Sequence, residues 1–475
     1  MRSRLLLVAA VTLCACPPGT TSGGGGGGSA TGGGSATGGG SAAGGGAAAG
    51  GGSATGGGGA AAGGGSATGG GGAAAGGGSA TGGGSATGGG SATGGGAATG
   101  GGAATGGGSA TGGGTTDGGS ANGTWTDVTP SGLDLNGASF NNDNFGVQDV
   151  LVDPARPSDL YAFVCHQGVY KSTDYGVTFT GPINTGTGGS LVTSGKPWTA
   201  AIDPNPNRDP NTPPTIWTVA GNNAMGVLKS TDGAVSWTAY ATGNTTAATA
   251  CSNNYFGEDA YALDVDPNDS QHLISGFHGC PGISESTNGG QTWSTITVPN
   301  NIGGSLYPFF IDTGTASTTR GNWFTVAQEN GSSNGAWYTA NAGQQWTQVG
   351  TFEHFHGNSQ VANLGNGVAF VGASGGVYQT TNAGMSWSKV STVDANGVVA
   401  TPSRLYATFG WATSGSWDPH FQLASTSASG TWSSTATPVA MTNGWKRAAV
   451  TVDAQGHHVL VAGCWNAGIW RYVEP

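Results

Sequence analysis

Apolar residues are spread unevenly along the chain. Between Cys16 and Gly123 there is no Trp, Tyr, Phe, Leu, Ile or Val, and the one charge is Asp117. The rest is Gly-Gly-Gly-Ser-Ala-Thr and Gly-Gly-Gly-Ala-Ala-Ala hexads. Such a segment buries too little apolar surface to offset its own ordering entropy, which predicts a disordered linker over 17–123. From Thr124 to Pro475 the pattern changes to short phrases that alternate apolar and polar residues, as strands do. The phrases are Gly168-Val-Tyr-Lys-Ser-Thr, Gly226-Val-Leu-Lys-Ser-Thr, Gly282-Ile-Ser-Glu-Ser-Thr, Gly335-Ala-Trp-Tyr-Thr-Ala and Gly376-Val-Tyr-Gln-Thr-Thr. Phe421-Gln-Leu-Ala-Ser-Thr is a weaker sixth and Gly468-Ile-Trp-Arg-Tyr-Val a seventh, with starts 58, 56, 53, 41, 45 and 47 residues apart. That period predicts radial β repetition, one four-stranded sheet per repeat.

A second phrase follows the first. Ser172-Thr-Asp174-Tyr-Gly176-Val-Thr178-Phe179 reads S-x-D-x-G-x-T-W with Phe for Trp. Ser230 to Trp237, Ser286 to Trp293, Thr339 to Trp346 and Thr380 to Trp387 repeat it with Asp or Asn third, and Ser425 to Trp432 is a degraded copy. These residues resemble the Asp-box of BNR-repeat β-propellers, the superfamily of sialidases, xyloglucanases and sortilin-type receptors, over nearly all of 124–475. The physics of the box is structural: Asp or Asn accepts backbone N–H groups across a tight turn, Gly supplies positive φ, and Trp covers the hairpin. The resemblance implies an all-β fold, a single seven-bladed propeller. Its seventh repeat ends after a third strand, and Gly123-Thr-Trp125-Thr-Asp-Val128 reads like the missing outer strand. The N-terminal strand is therefore expected to close the ring and remove its open edges.

The N-terminus carries Arg2 and Arg4, then an apolar stretch Leu5 to Leu13 too short to span a bilayer. Leu13-Cys14-Ala15-Cys16 resembles the lipobox of bacterial lipoproteins, which implies a signal over 1–16, a lipid on Cys16, and, with Pro17 following, the outer membrane at the cell surface. As a coil the linker spans about 55–60 Å. Four cysteines remain, and two disulfides in an oxidising compartment have three possible connectivities. Closure of the implied propeller puts Cys165 and Cys464 before the third strands of neighbouring blades, so a Cys165–Cys464 bridge is expected, with Cys251 and Cys280 pairing at the rim of blade three.

Behind residue 16 there are 11 basic and 24 acidic residues, a net charge of −13. That balance argues against nucleic acid, and against any membrane contact except through the lipid. Innermost strands align on Asp153, Asp203, Asp266, Asp312 and Asp453. Gln148, Trp198, Tyr261 and Tyr307 stand five residues earlier, Lys196, Asp259 and Lys446 seven earlier. Residues two apart share a strand face, so Lys196 with Trp198 and Asp259 with Tyr261 point alike near an upper mouth. Glu258, Glu353, His354, His356, Trp445 and Arg447 come from adjoining loops. Stacking rings flanked by hydrogen-bonding side chains suit a sugar. A monomer that binds a glycan or polysaccharide there, without cofactor, metal or catalysis, is the expectation.

Two other readings are carried beside it. A xyloglucanase-like hydrolase, or a lyase, would draw on Asp149, Glu258, Asp259 and His354. Gln148 stands where the resemblance would put a catalytic Asp, and inverting hydrolysis asks for carboxyls about 6.5–9.5 Å apart. A protein-assembly scaffold is the third. The three arginines that sialidases use for a carboxylate are missing, since only Arg447 aligns with the mouth.

Overall fold

The computed structural model divides the chain into two compact units, Met1–Gly119 and Ser120–Pro475. It describes residues 123–135, 146–194, 196–219, 226–240, 260–277, 281–327, 335–354, 360–392, 394–408, 421–425, 432–435, 437–438, 440–441, 445–465 and 467–475, together with short strands between 29 and 111.

The first unit is consistent with the expected tether, and short strands are all that is described of it. Fourteen three-residue strands, β1 (Ser29–Thr31) to β14 (Ser109–Thr111), recur about once per hexad. Odd-numbered strands form one seven-stranded sheet and even-numbered strands a second, and the pairs are parallel, as in Ser29↔Ser41. A strand pairs with the next but one in sequence.

The second unit is a ring of antiparallel sheets, a β-propeller. Six sheets have four strands. One joins β15 (Trp125–Asp127) to β41 (Gly468–Val473), β40 (His458–Cys464) and β39 (Arg447–Val452). Four more run in chain order: β19 (Ala200–Ile202) to β22 (Thr238–Tyr240), β23 (Ala260–Asp266) to β26 (Ser294–Ile296), β27 (Leu306–Phe310) to β30 (Thr347–Gly350), and β31 (Val361–Gly365) to β34 (Ser388–Ser391). The sixth is β35 (Gly397–Ala400) to β38 (Ser433–Thr435). The expectation of seven such blades is corrected to six. The remaining sheet, β16 (Val147–Asp153), β17 (Arg156–Val164) and β18 (Gly168–Ser172), has three strands. Beyond β18 a fourth strand is reduced to one bridge, Lys171↔Thr180, and one further bond from Ile183 N to the Val169 carbonyl at 2.8 Å, interrupted at Pro182, which has no N–H to donate.

First strands line the channel. β39 packs on β16, β16 on β19, β19 on β23, β23 on β27, β31 on β35 and β35 on β39. Between β27 and β31 the Asn363 Nδ2 donates to the Phe310 carbonyl at 3.0 Å. Sheets stacked this way cover both faces of their middle strands, so Leu160–Val164 and Leu273–Phe277 are buried throughout, while outer strands such as β22 and β26 are largely exposed.

The Asp-turns follow one hydrogen-bonding scheme. Gly176 N donates to Ser172 Oγ at 2.9 Å and Thr178 N to Asp174 Oδ1 at 2.9 Å. The same pairs recur from Ser230 and Asp232, Ser286 and Asn288, Thr339 and Asn341, and Thr380 and Asn382. Gly176 has φ +78°, and a Cβ there would stand 2.5 Å from Val461 of the preceding blade. The turn glycine is thus also the point where one blade leans on the last.

β15 closes the ring as expected, pairing antiparallel with β41 through Trp125↔Tyr472 and Asp127↔Trp470. The Cys165–Cys464 bridge is absent: both residues are buried thiols. Cys165 faces the cluster of Trp198, Tyr261 and Trp465, whereas Cys464 faces Trp445, Trp470 and Tyr472. The Cys251–Cys280 pair lies outside the described residues. Among the described residues no helix is long and apolar enough to cross a membrane.

Candidate functional site

First strands begin at one end of the channel, the mouth, beside the turns that join second to third strands. Gln148 opens β16 and Lys446 immediately precedes β39, so closure of the ring sets them side by side. Lys446 Nζ donates to Gln148 Oε1 at 2.6 Å and lies 4.4 Å from the ring centre of Trp198 and 5.0 Å from that of Trp465. Burial pushes the Lys446 ammonium well below its ordinary pKa, with Asp149 opposing the shift. Lys196 approaches the same indole at 5.7 Å.

From Trp198 an aromatic arc runs across successive blades. Ring centres are 5.1 Å apart for Trp198 and Tyr261, 5.5 Å for Tyr261 and Tyr307, and 4.5 Å for Tyr307 and His354. Trp198 is 5% exposed, and Tyr261, Tyr307 and His354 are 0%. These rings pack on one another from blade to blade in tilted and edge-on contacts.

Beneath the arc lie the charges. Asp149 is buried; its Oδ2 accepts from Ala200 N at 2.8 Å and Arg447 Nη1 at 2.9 Å, and its Oδ1 from Val150 N at 2.8 Å. Arg447 also reaches Thr199 Oγ1. Burial raises the Asp149 pKa, and Arg447 with the backbone N–H groups works against that rise. Asp264, on β23, accepts from Phe310 N at 2.8 Å, and desolvation inside the ring pushes its pKa up to about 7. The sequence reading missed Asp264. Its signal is a carboxylate in the otherwise apolar first strand Ala-Tyr-Ala-Leu-Asp-Val, two residues before the aligned Asp266.

The other candidates divide. Trp445 is fully buried but belongs to a separate cluster, 5.7 Å from Trp125 on the outer strand. Glu353 is half-buried, and its carbonyl accepts from Ser374 N at 2.8 Å. Glu258, Asp259 and His356 lie outside the described residues. Among the described residues no three His, Cys, Asp or Glu side chains converge as a metal site.

No protein-family model matches the chain, and no curated protein matches it. Solved structures do. The GH74 xyloglucanase from Xanthomonas campestris is 17% identical, with 74% of this chain and 53% of that chain covered at a TM-score of 0.47. The GH74 enzyme of Niastella koreensis is 17% identical, with 74% and 55% covered at a TM-score of 0.48. YCF48 from Cyanidioschyzon merolae is 12% identical, with 74% and 99% covered at a TM-score of 0.44. The chain spans about half the length of the GH74 proteins it matches, and at these identities the likeness is one of strand arrangement.

Proposed function

We propose that the chain is a lipoprotein, anchored through Cys16 at the surface of a bacterial outer membrane, whose propeller binds a glycan or polysaccharide at its mouth without catalysis. One observation carries the absence of chemistry. Asp149, the candidate acid within the described residues, is 2% exposed and has its oxygens taken up by Val150 N, Ala200 N and Arg447. A carboxylate bound this way holds the ring together and is kept from solvent. The binding reading draws on sequence alone: Tyr255 and Phe256, Phe355 and His356, and Trp411, Trp417 and His420 stand in segments outside the described residues, and aromatic faces beside hydrogen-bonding groups are what a sugar requires.

A hydrolase is the second reading, favoured by Asp264: a carboxyl with a pKa of about 7 is protonated enough at neutral pH to serve as a general acid. One experiment separates the two. The full chain is placed on an array of plant, fungal and bacterial polysaccharides, and binding and released reducing ends are read from the same wells. Binding without new ends, weakened by Trp411→Ala or Trp417→Ala, supports the proposal. Product release that Asp264→Asn abolishes replaces it with the hydrolase. Neither signal leaves a protein-assembly scaffold in front. Labelling with radioactive palmitate that Cys16→Ser does not reduce would overturn the anchor.

A further inference from the structure

The connection from β19 to β20 lies at the end of the ring opposite the mouth. Two residues join β16 to β17 and two join β23 to β24, but this connection runs from 203 to 215. It is held in one shape. Pro204, Pro206, Pro210, Pro213 and Pro214 fix five of its φ angles. The side chains of Asp203, Asn205 and Asp209 accept from backbone N–H groups two residues on, at 3.1, 3.0 and 2.9 Å. Arg208, its side chain 9% exposed, reaches the neighbouring sheet and places Nη2 2.5 Å from Asp153 Oδ2. A loop already this ordered loses little entropy when a ligand settles against it.

Behind the loop, between the three-stranded sheet and the β19–β22 blade, is a cavity of 220 Å³. At about 30 Å³ per water it has room for about seven, the space of a single sugar-sized ring. One wall is apolar, formed by Pro213, Pro214 and Ile183. The facing wall carries two cations on a single carboxylate. Asp159, 3% exposed at its side chain, accepts from Lys171 Nζ at 2.7 Å and from Arg156 Nη1 at 3.2 Å. Ser158 Oγ donates to its second oxygen at 3.0 Å.

The balance of donors and acceptors names the ligand class. An ammonium has three N–H donors and a guanidinium five, and Asp159 takes one bond from each. The side chains of Lys171 and Arg156 are 26% and 40% exposed, so their remaining donors are within reach of the cavity. Asp232, on the opposite rim, accepts from Val235 N, Ser236 N and Ser230 Oγ at Oδ1, and the lining carboxylate Asp153 is held by Arg208. Lys171 and Arg156 thus keep donors to spare beside one apolar face. Burial would lower the Lys171 pKa, but Asp159 and Tyr161 outweigh it, so the ammonium stays charged.

We propose that this cavity binds a small hydroxylated carboxylate of the sugar-acid class, its carboxylate between Arg156 and Lys171 and its ring face on the prolines. The proposal stands apart from the reading of the mouth. It is tested by titrating the full chain with sodium glucuronate in a calorimeter, with glucose and sodium acetate titrated in parallel. The expected result is a Kd on the order of 1 mM or tighter for glucuronate, with glucose and acetate each at least tenfold weaker. Arg156→Gln and, independently, Thr212→Trp at the exposed loop edge should each weaken glucuronate at least tenfold. No heat with glucuronate, equal affinity for glucose or acetate, or binding untouched by both variants would each overturn it. If Arg156→Gln does not fold, Thr212→Trp, whose side chain only fills the entrance, gives the answer.

Discussion

Arg447 Nη1 lies 2.9 Å from Asp149 Oδ2 across the junction of the first and last sheets, 298 residues apart in sequence. Both side chains are withdrawn from water, and the pair sits where the ring closes. It does for the channel what the β15–β41 ladder does for the rim: it ties the last strands of the chain to the first. A carboxylate and a guanidinium in that setting act as structure, since either alone would be a charge left in a desolvated place.

Replacing Arg447 with Met should therefore destabilise the propeller by about 3–5 kcal/mol, because it strands Asp149 beneath the aromatic arc. Adding Asp149→Asn removes the stranded charge and should recover part of that loss. Urea unfolding of the single and double variants measures both. Additive losses in the double variant would show that the two groups do not act as a pair.

His272 gives a pH dependence of defined sign. It is fully buried between Phe310 and Trp323, with Nε2 2.8 Å from Glu285 and Nδ1 3.4 Å from Asp266. Burial favours the neutral ring, but the two carboxylates outweigh it and hold the imidazole above its ordinary pKa. The folded state thus binds the proton more tightly than the unfolded one, whose value is about 6.5. This contribution is fully present below that pH and is lost as pH rises through the folded pKa. Unfolding free energy measured from pH 6 to 9 should fall, and His272→Phe should flatten that part of the curve. A wild-type profile that rises over this range would contradict the assignment.

Much of the ring was legible in the sequence because each sheet needs the same parts. The third-strand phrases recur since both faces of a blade are covered, and the Asp-turns recur since each hairpin spends side-chain acceptors on the same N–H groups. The strand Gly468–Val473 takes its outer partner from Trp125–Asp127. The mouth was less legible. Period two says that Trp198 and Lys196 share a face, but not that Trp198 meets Tyr261 across the blade interface. Asp264 was passed over because an acid in an apolar strand looks the same whether it faces solvent or the channel. The fourth strand beyond Lys171 is cut short for a local reason, a Gly-Pro step that interrupts the ladder after one bridge.

The two described cysteines bear on redox behaviour. Cys165 and Cys464 are buried in different clusters, and burial pushes the Cys464 thiol well above its ordinary pKa. Thiols held this way are poor nucleophiles and slow to oxidise. Alkylation of the native protein should leave both unmodified, and unfolding should expose both. A non-reducing peptide map should contain no Cys165–Cys464 peptide, and finding one would require the two clusters to repack.

The final test concerns the last turn of the chain. Glu474 follows β41 and is 7% exposed. Its Oε1 accepts from Tyr406 Oη at 2.7 Å and Thr401 Oγ1 at 2.9 Å, and its Oε2 lies 2.9 Å from His458 Nδ1. Burial and the adjoining carboxylate together raise the Tyr406 pKa, so its hydroxyl stays a donor throughout the ordinary pH range. Glu474 thus fastens the closing sheet to the β35–β38 blade, independently of the β15 strand on its other side. Glu474→Ala removes the carboxylate acceptor of a buried phenol and of a buried hydroxyl, at about 1–3 kcal/mol each, and a loss of about 3 kcal/mol is expected after partial relaxation. Glu474→Gln keeps one acceptor and should lose less. If binding and stability both survive Glu474→Ala unchanged in urea unfolding, the seam does not depend on this contact and the β15–β41 ladder closes the ring alone.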